Sequence, residues 1–349
     1  MKITIRHMLP EEAKAVQKLG RKSFHPLEMP YMPKVKRALI AELEGEPVGA
    51  FTYTIEQVKS KKVGRIDFLF THPDYAGQGV GKQLCQAGFD FLWGEGCDLL
   101  TTYVRDDNAA SWRVFERHGF VRADLSSVAG LIGWGGLITQ CVKSLYAFSP
   151  AHDLYIATRD EEATKQCAKK TGIDQMFRYL YLHAFIGMLV AWRAGADAFA
   201  VASDAIAIFL GLMLAGYLGT LPSSGRKWRF RMTTGGGLLP LIFAGSIRGI
   251  LFPFIGGWYP TVYEDTHTFR RDLAVNAMAT WAFLLAVVAA GQFLIPLPGY
   301  INPLASFLLI FKCMPVRVVD SSGFGRVFRW NKPVACLFVA LSAVVVYLF

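Results

Sequence analysis

Three glycines, Gly77, Gly79 and Gly81, stand at alternate positions in HPDYAGQGVGKQLCQAGFDFLW, where a β-rich run ending at His72-Pro73 gives way to an amphipathic helix. Glycine lets the backbone approach a ligand closely, and the unpaired amides at a helix N-terminus attract phosphate oxygens. By itself G-x-G-x-G is a weak motif, because a structural turn explains it equally well. Nearby imidazoles add little: His72 reads as a turn residue before Pro73, and His118 precedes the helix stop Gly119, where a cation suits the helix dipole. Ionisable groups also fall in apolar stretches, at His183, Asp204, Arg248 and Asp272. Such groups are functional candidates by default, although snorkelling or loop burial also accounts for those near helix ends. Six cysteines with no CxxC pair and no HExxH argue against a metal site or a disulfide framework.

The elements needed to position the glycine turn can be traced on both sides of it. Residues 2–6 alternate as an edge strand would, and PEEAKAVQKLGRKSF carries helical spacing at Ala13, Val16 and Leu19. ALIAELEGEPVGAFTYTI holds two β-rich runs around Glu44–Pro47, and RIDFLFTHP supplies a third strand that leads into the turn. Leu99–Val104 reads as a strand, followed by a turn with Asn108, a short helix, the stop at Gly119-Phe120 and another strand; LYIATRD (Leu154–Asp160) reads as the closing strand. Between them, residues 126–149 carry Lys143 as their one charge. This apolar insertion of ~24 residues exceeds an ordinary hairpin loop. A membrane-contacting lid, a dimer contact and a core helix are all compatible with it, and Gly130, Gly133, Gly135 and Gly136 favour an interfacial helix over a spanning one.

Composition separates two halves. The 349 residues are 53% hydrophobic and 18% charged, which excludes a disordered chain. Residues 1–172 hold 23 Lys/Arg and 20 Asp/Glu, whereas residues 173–349 hold 14 and 7 on a far more apolar background. Most of the net +10 therefore sits in the apolar half, where membrane topology and anionic headgroups explain it better than a nucleic-acid partner. The N-terminus lacks the apolar core of a secretory signal.

Across residues 1–160 the motifs resemble the GCN5-related N-acetyltransferase (GNAT) superfamily. Its [RQ]-x-x-G-x-[GA] pattern falls on Ala76-Gly77-Gln78-Gly79-Val80-Gly81, and its later N-x-x-[AS]-x-x-x-[YF]-x-x-x-G-F pattern falls on Asn108 to Phe120. The resemblance implies an α+β fold, a mixed and strongly twisted sheet splayed open for acetyl-CoA. It implies that the amides of Gln78, Gly79, Val80 and Gly81 bind the pyrophosphate, that Phe70 and Thr71 hold the pantetheine, and that Asn108 contacts the same arm. Acetyl transfer needs a neutral amine, and Asp67 lies where many relatives carry a catalytic carboxylate. Two positions depart from the pattern. Ala76 replaces an Arg or Gln that would meet phosphate, and Phe115 replaces a tyrosine that protonates the departing thiolate, a proton Phe lacks. Either water or another group such as Tyr103 then supplies the proton, or the thiolate leaves unprotonated.

A spanning helix needs about 20 apolar residues. Candidate segments are Phe177–Trp192, Ala198–Leu221, Leu238–Trp258, Leu273–Ile295, Ile301–Met314 and Pro333–Phe349, so five or six spans are expected. Arg226, Lys227, Arg229 and Arg231 place their loop in the cytoplasm by the positive-inside rule, and the N-terminal domain with it; YPTVYEDTHT, with Glu264 and Asp265, then falls outside. Six spans would put Arg317, Arg326, Arg329 and Lys332 outside, which suggests that Ile301–Met314 does not cross fully. WRFRMTTGGGLLPLIFAG and INPLASFLLIFKCMPVRVVDSSGFGRVFRWNKPV resemble the site-2 protease family of intramembrane zinc metalloproteases. The zinc ligands are missing: the HExxH position falls near Met213–Tyr217, the register at His183 keeps one histidine, and Asp320 alone matches the third ligand.

The expected organisation is therefore a GNAT-like domain at 1–160, a linker at 161–176, and an all-α polytopic membrane domain at 177–349 without metal. The expected function is a multi-pass cell-membrane N-acetyltransferase that uses acetyl-CoA and a cytoplasmic amine acceptor, with no nucleic-acid partner. The alternative is a non-catalytic acetyl-CoA sensor or scaffold on a pseudoprotease.

Overall fold

The computed structural model describes residues 3–24, 32, 34–105, 108–149, 152–223, 225–246, 250–264, 266–295, 297, 299–314 and 323–347. Arg248, Asp265, Arg317 and Asp320, all named above, lie outside the described residues. The chain divides into two compact units, Met1–Tyr146 with His152–Lys169, and Ala147–Ala151 with Lys170–Phe349.

The first unit is a seven-stranded sheet. Its strands are β1 (Thr4–His7), β2 (Ala38–Leu43), β3 (Glu46–Val58), β4 (Lys61–Thr71), β5 (Leu99–Arg105), β6 (Val121–Arg122) and β7 (His152–Thr158), in the order β1-β2-β3-β4-β5-β7-β6. The β2–β3 turn places Glu44 and Gly45 both at positive φ, the conformation whose twist matches a tight hairpin. β1 to β4 pair antiparallel, and β5 joins β4 in parallel. A parallel neighbour needs a crossover, and the helix α2 (Val80–Gly94) supplies it after α1 (Ala13–Ser23). Along α2, Val80, Leu84, Cys85, Phe89 and Leu92 form the buried stripe. Gly88 lets Phe51 pack directly on the helix, since a Cβ there would stand 2.6 Å from the ring. On β7, the buried Asp153 carboxylate lies 3.0 Å from Lys169 and 3.1 Å from Arg122, so its charge is compensated from two sides.

The apolar insertion is the helix α4 (Leu125–Lys143), following α3 (Ala109–Arg117). Val128, Ala129, Ile132, Leu137, Gln140 and Cys141 form its buried side. It bends at Gly133, whose φ of 74° and ψ of 156° suit only glycine. The remaining helix of this unit, α5 (Glu161–Gln166), follows β7.

The second unit contains α6 (Ile173–Ala194), α7 (Ala198–Leu218), α8 (Leu238–Ser246), α9 (His267–Phe293), α10 (Ile301–Cys313), α11 (Phe324–Trp330) and α12 (Lys332–Tyr347). Gly195 ends α6 in the left-handed conformation, and the Asp197 carboxylate accepts from the amides of Phe199 and Ala200 to start α7. Trp281 at the centre of α9 is fully buried and donates to Ser342 Oγ at 2.8 Å. Among the described residues, three helices are long and apolar enough to cross a membrane: α4, α7 and α9.

Two expectations for this half need correction. Leu238–Trp258 is not one spanning helix. Its described residues hold the nine-residue α8 and, from Gly256, the strand β9 (Gly256–Pro260), which pairs antiparallel with β8 (Trp228–Met232). The cationic loop is thus partly a strand, and the unit is not all-α. The assignment of Arg226 and Glu264 to opposite faces of a bilayer also fails. Their side chains form an ion pair at 2.8 Å, with Asp272 also on Arg226 at 2.9 Å, whereas the hydrocarbon core is ~30 Å thick. The pairing of β9 with β8 brings the chain back beside Trp228–Met232.

Candidate active site

The sheet of the first unit opens where its two middle strands part. β4 and β5 are paired from Val63 with Leu99 to Ile66 with Thr102, yet β4 continues to Thr71 and β5 to Arg105. Residues 68–71 of β4 stay paired with β3 on one edge only, and Asp67 sits at the register shift between the pairs of Ile66 and Phe68. Alternate backbone amides and carbonyls of this segment therefore point into the gap, where an extended amide-bearing ligand can add as a strand. Phe70 and Thr71 close the segment. Phe70 is buried in the core with Val16, Leu19 and Ile40, so its backbone alone is available to a ligand.

The glycine turn lies at the end of this opening. Pro73–Tyr75 forms a short 3-10 turn capped by His72, whose Nδ1 accepts from the Asp74 amide, and this fixes His72 in the turn role its spacing suggested. Gly77 and Gly79 follow at φ of 78° and 81°, and Gly79 is the N-cap of α2. A Cβ at either would meet nothing within 4 Å, so backbone conformation and not crowding requires glycine. The Gln78 amide bonds Tyr75 O and the Gln83 amide bonds Gly79 O. Among the described residues, the intervening amides of Gly79, Val80, Gly81 and Lys82 have no backbone acceptor. That is an anion cradle made of main chain. Ala76 has no part in it beyond its amide bond to Pro73 O.

Asp67 is the first residue of β4 beyond the paired segment, and both of its oxygens are engaged. Oδ1 accepts from Arg65 Nε at 2.6 Å and Oδ2 from Thr54 Oγ1 at 2.7 Å. The network continues to α4: Arg65 reaches Gln140 Oε1 at 3.5 Å, Gln140 donates to Glu56 at 3.0 Å, and Lys143 pairs with Glu56 at 3.1 Å. Burial works against the Arg65 charge, but the adjacent carboxylate of Asp67 outweighs it and the pKa rises. Arg65, Thr54 and Gln140 were not singled out in the sequence. The available signal was alternation, since Arg65 and Asp67 two residues apart must share a face of the strand.

Tyr103, on β5 just past the last paired residue, stacks on Tyr146 with ring centroids 4.3 Å apart. Burial raises its pKa above the ordinary tyrosine value, helped by Cys141 and opposed by Ser144 and Arg65. It keeps its proton throughout the neutral range, and giving it up is made harder. Phe115 is 3% exposed and packs against Phe89 and Phe120. Phe115→Tyr should therefore not restore a proton donor. It should cost about 1–3 kcal/mol for a hydroxyl buried among rings, read by thermal melting, with kcat unchanged.

Asn108 is the N-cap of α3, its side chain accepting from the Ser111 amide at 3.2 Å. Asn108→Ala should cost about 1 kcal/mol of stability through that cap. A weakened acetyl-CoA affinity on top of this, seen by calorimetric titration, would mark the ligand contact that the motif implies; unchanged affinity would leave the cap alone. His118 bonds Val114 O at 2.7 Å and Gln86 at 3.2 Å on the helix end, in keeping with a structural role.

In the second unit the apolar ionisable residues are held structurally. His183 is fully buried: Nδ1 donates to Tyr179 O at 2.7 Å and Nε2 accepts from the Phe254 amide at 3.1 Å, so neither ring nitrogen is open to a metal. Asp204 accepts from the Tyr300 amide at the start of α10, and Asp272 joins Arg226 and Arg271. Among the described residues no group of three or more His, Cys, Asp or Glu side chains is placed to hold a metal ion. A small cleft of about 80 Å3 lies within this unit, lined by Phe209, Leu284 and Trp258 and by Asn276, Lys312 and Arg326.

Residues 12–120, which hold most of the splayed sheet and the glycine-built anion cradle, match the Acetyltransferase (GNAT) family. The chain thus carries a GNAT acetyltransferase domain there, and acetyl-CoA is the cofactor of that class. Among characterised proteins it is similar to the mycothiol acetyltransferase of Streptomyces coelicolor, 38% identical over 82 residues, which are 24% of this chain and 26% of that protein. The mycothiol acetyltransferase of Acidimicrobium ferrooxidans is 34% identical over 84 residues, 24% of this chain and 27% of its own. The chain spans about a quarter of the length of these curated relatives. Of solved structures, the ribosomal-protein-S18-alanine N-acetyltransferase from Escherichia coli aligns at 16% identity with a TM-score of 0.32, covering 44% of this chain and 91% of that one.

Proposed function

We propose that the protein is an acetyl-CoA-dependent N-acetyltransferase whose second unit is embedded in a membrane and whose acceptor is an amine presented on the cytoplasmic side. The observation that carries this reading is the open β4–β5 gap leading to four free amides at Gly79–Lys82, inside the segment that matches the family. Acetyl-CoA, when bound, supplies an acetyl thioester. The amides of Gly79 to Lys82 hold its pyrophosphate, with Gln78 shaping the turn, and the free edge of residues 67–71 aligns its pantetheine arm. Asp67 receives the amine proton through a water, and Tyr103 shields the acceptor side of the gap and keeps its own proton.

For the second unit, α7 and α9 have the length and apolarity of spans, and α6 with the shorter apolar helices α10 and α12 completes five crossings, a locally thinned bilayer accommodating the short ones. The Gly172 amide bonds Phe230 O at 2.9 Å, so β8 and the start of α6 share a side. With 238–258 not crossing, Arg226, Lys227, Arg229, Arg329 and Lys332 all fall on the cytoplasmic side, in accord with the positive-inside rule. The resemblance to site-2 proteases then describes a scaffold without zinc chemistry, since His183 is consumed by its own hydrogen bonds.

Thiol release from acetyl-CoA by the full chain in nanodiscs, screened against amines, peptide N-termini and amino-lipids, tests the enzyme reading. Tight binding with no turnover across that panel would replace it with the second reading, an acetyl-CoA sensor. The committed carboxylate of Asp67 and the apolar seat of Phe115 favour that second reading.

A further inference from the structure

α4 is apolar on every side, yet the sheet buries only one. From Leu125 to Val142 it carries no charged residue. Its second half points Trp134, Ile138 and Val142 outward at 61, 57 and 42% exposure, with Leu145 at 39% just beyond the helix end. Spacing of four residues puts the three helical positions on a single face. A helix apolar all round is normally covered all round. Three lysines and one acid border this face, a net positive rim. Lys59 of the β3–β4 turn lies against Gly133, Val58 at the end of β3 lies against Gly136, Lys61 opens β4 opposite Val58, and Lys143 ends the helix with half its side chain exposed. The bordering acid, Glu56, is taken up by Gln140 and Lys143.

We infer that the outer face of α4 docks on an anionic lipid bilayer, with Trp134, Ile138 and Val142 in the interfacial layer and Lys59, Lys61 and Lys143 at the headgroups. Charge selects this occupant. A second copy paired through the same face would bring two lysine borders together, whereas an anionic surface neutralises them. An exposed tryptophan amid an apolar stripe suits the headgroup boundary. The bend at Gly133 and the packing of the inner face keep α4 from crossing, although its length and composition would allow it. Because Gln140 on the inner face belongs to the network of Arg65 and Asp67, a bilayer on the outer face sets the acceptor side of the gap beside the membrane. The acceptor class it points to is an amine held at or near the lipid surface.

This inference rests on the second unit being membrane-embedded, and the experiment separates the two. The full chain, with Cys313 and Cys336 replaced by serine, is reconstituted in phosphatidylcholine–phosphatidylserine vesicles. A spin label is placed singly at Ile138→Cys, at Leu210→Cys on the exposed side of α7, or at Arg117→Cys on exposed α3. Collision with oxygen and with a water-soluble nickel complex is read by electron paramagnetic resonance. The labels at 138 and 210 should both show an oxygen-to-nickel ratio at least about tenfold above that at 117. The ratio at 138 should fall several-fold in Lys59→Glu/Lys61→Glu, while that at 210 stays. A lipid-exposed 210 with a water-exposed 138 overturns this inference alone; a water-exposed 210 overturns the membrane reading beneath it. Dipolar broadening between labels at 138 would assign the face to a second copy, and insertion indifferent to the lysine reversal would refute the anionic surface.

Discussion

Gly79→Glu should abolish acetyl-CoA binding while the domain still folds. Gly79 is at φ of 81°, where a side chain costs roughly 1–2 kcal/mol, but a Cβ there meets nothing, so steric damage is absent. The new carboxylate sits at the N-terminus of α2, where the helix dipole and the amides of Val80, Gly81 and Lys82 favour it and offset part of the strain. That compensation is what destroys the site: the acid occupies the place of a pyrophosphate oxygen and repels the rest. With charge-assisted hydrogen bonds worth about 1.5–3 kcal/mol each, loss of two is at least ~100-fold in affinity. Isothermal titration of the full chain with acetyl-CoA, beside a thermal melt, measures both quantities. Gly77→Ala serves as the control, since it carries the same backbone strain without a charge. Near-native affinity in Gly79→Glu would place the phosphate elsewhere and remove the main support for the proposed function.

The cradle was legible in the sequence because everything it needs is local: two glycines, a capped turn and an amphipathic helix within twenty residues. The hairpin and the succession of strands along the chain around it were legible for the same reason, through alternation and turn chemistry, whereas the order of strands within the sheet was not. The carboxylate network was not. Asp67 could be picked out by its place before the turn, but what its oxygens do depends on Thr54 across a hairpin and on Arg65, which Gln140 reaches from seventy-five residues away. The lone amide in the apolar run of α4 was the one trace of that contact. In the second half, hydropathy alone reads Leu238–Trp258 as a span, because it measures composition and not pairing. Gly256 and Gly257 together with the alternating WRFRM could have announced a hairpin, and the ion pair of Arg226 with Glu264 shows why the side assignment built on that span failed.

Asp67→Asn should lower kcat by about 10²-fold or more and leave the KM for acetyl-CoA unchanged, because the cradle lies at Gly79–Lys82 and not at this carboxylate. The substitution keeps size and one acceptor oxygen but removes both basicity and the counter-charge of Arg65. A fall in activity alone therefore has two sources: a lost proton acceptor, or a buried guanidinium left uncompensated at a cost of about 3–5 kcal/mol. Arg65→Met separates them. It leaves the Asp67 carboxylate on Thr54 and removes the cation, so a catalytic Asp67 retains most of its activity and gains freedom to accept a proton. If Asp67 serves only to position Arg65 against Gln140, Arg65→Met loses as much as Asp67→Asn. Thermal melts of both variants report the structural share, and the ratio of their kcat values reports the chemical one. Equal kcat in the two variants would take the base away from Asp67; a loss confined to Asp67→Asn would fix it there and weigh against the sensor reading.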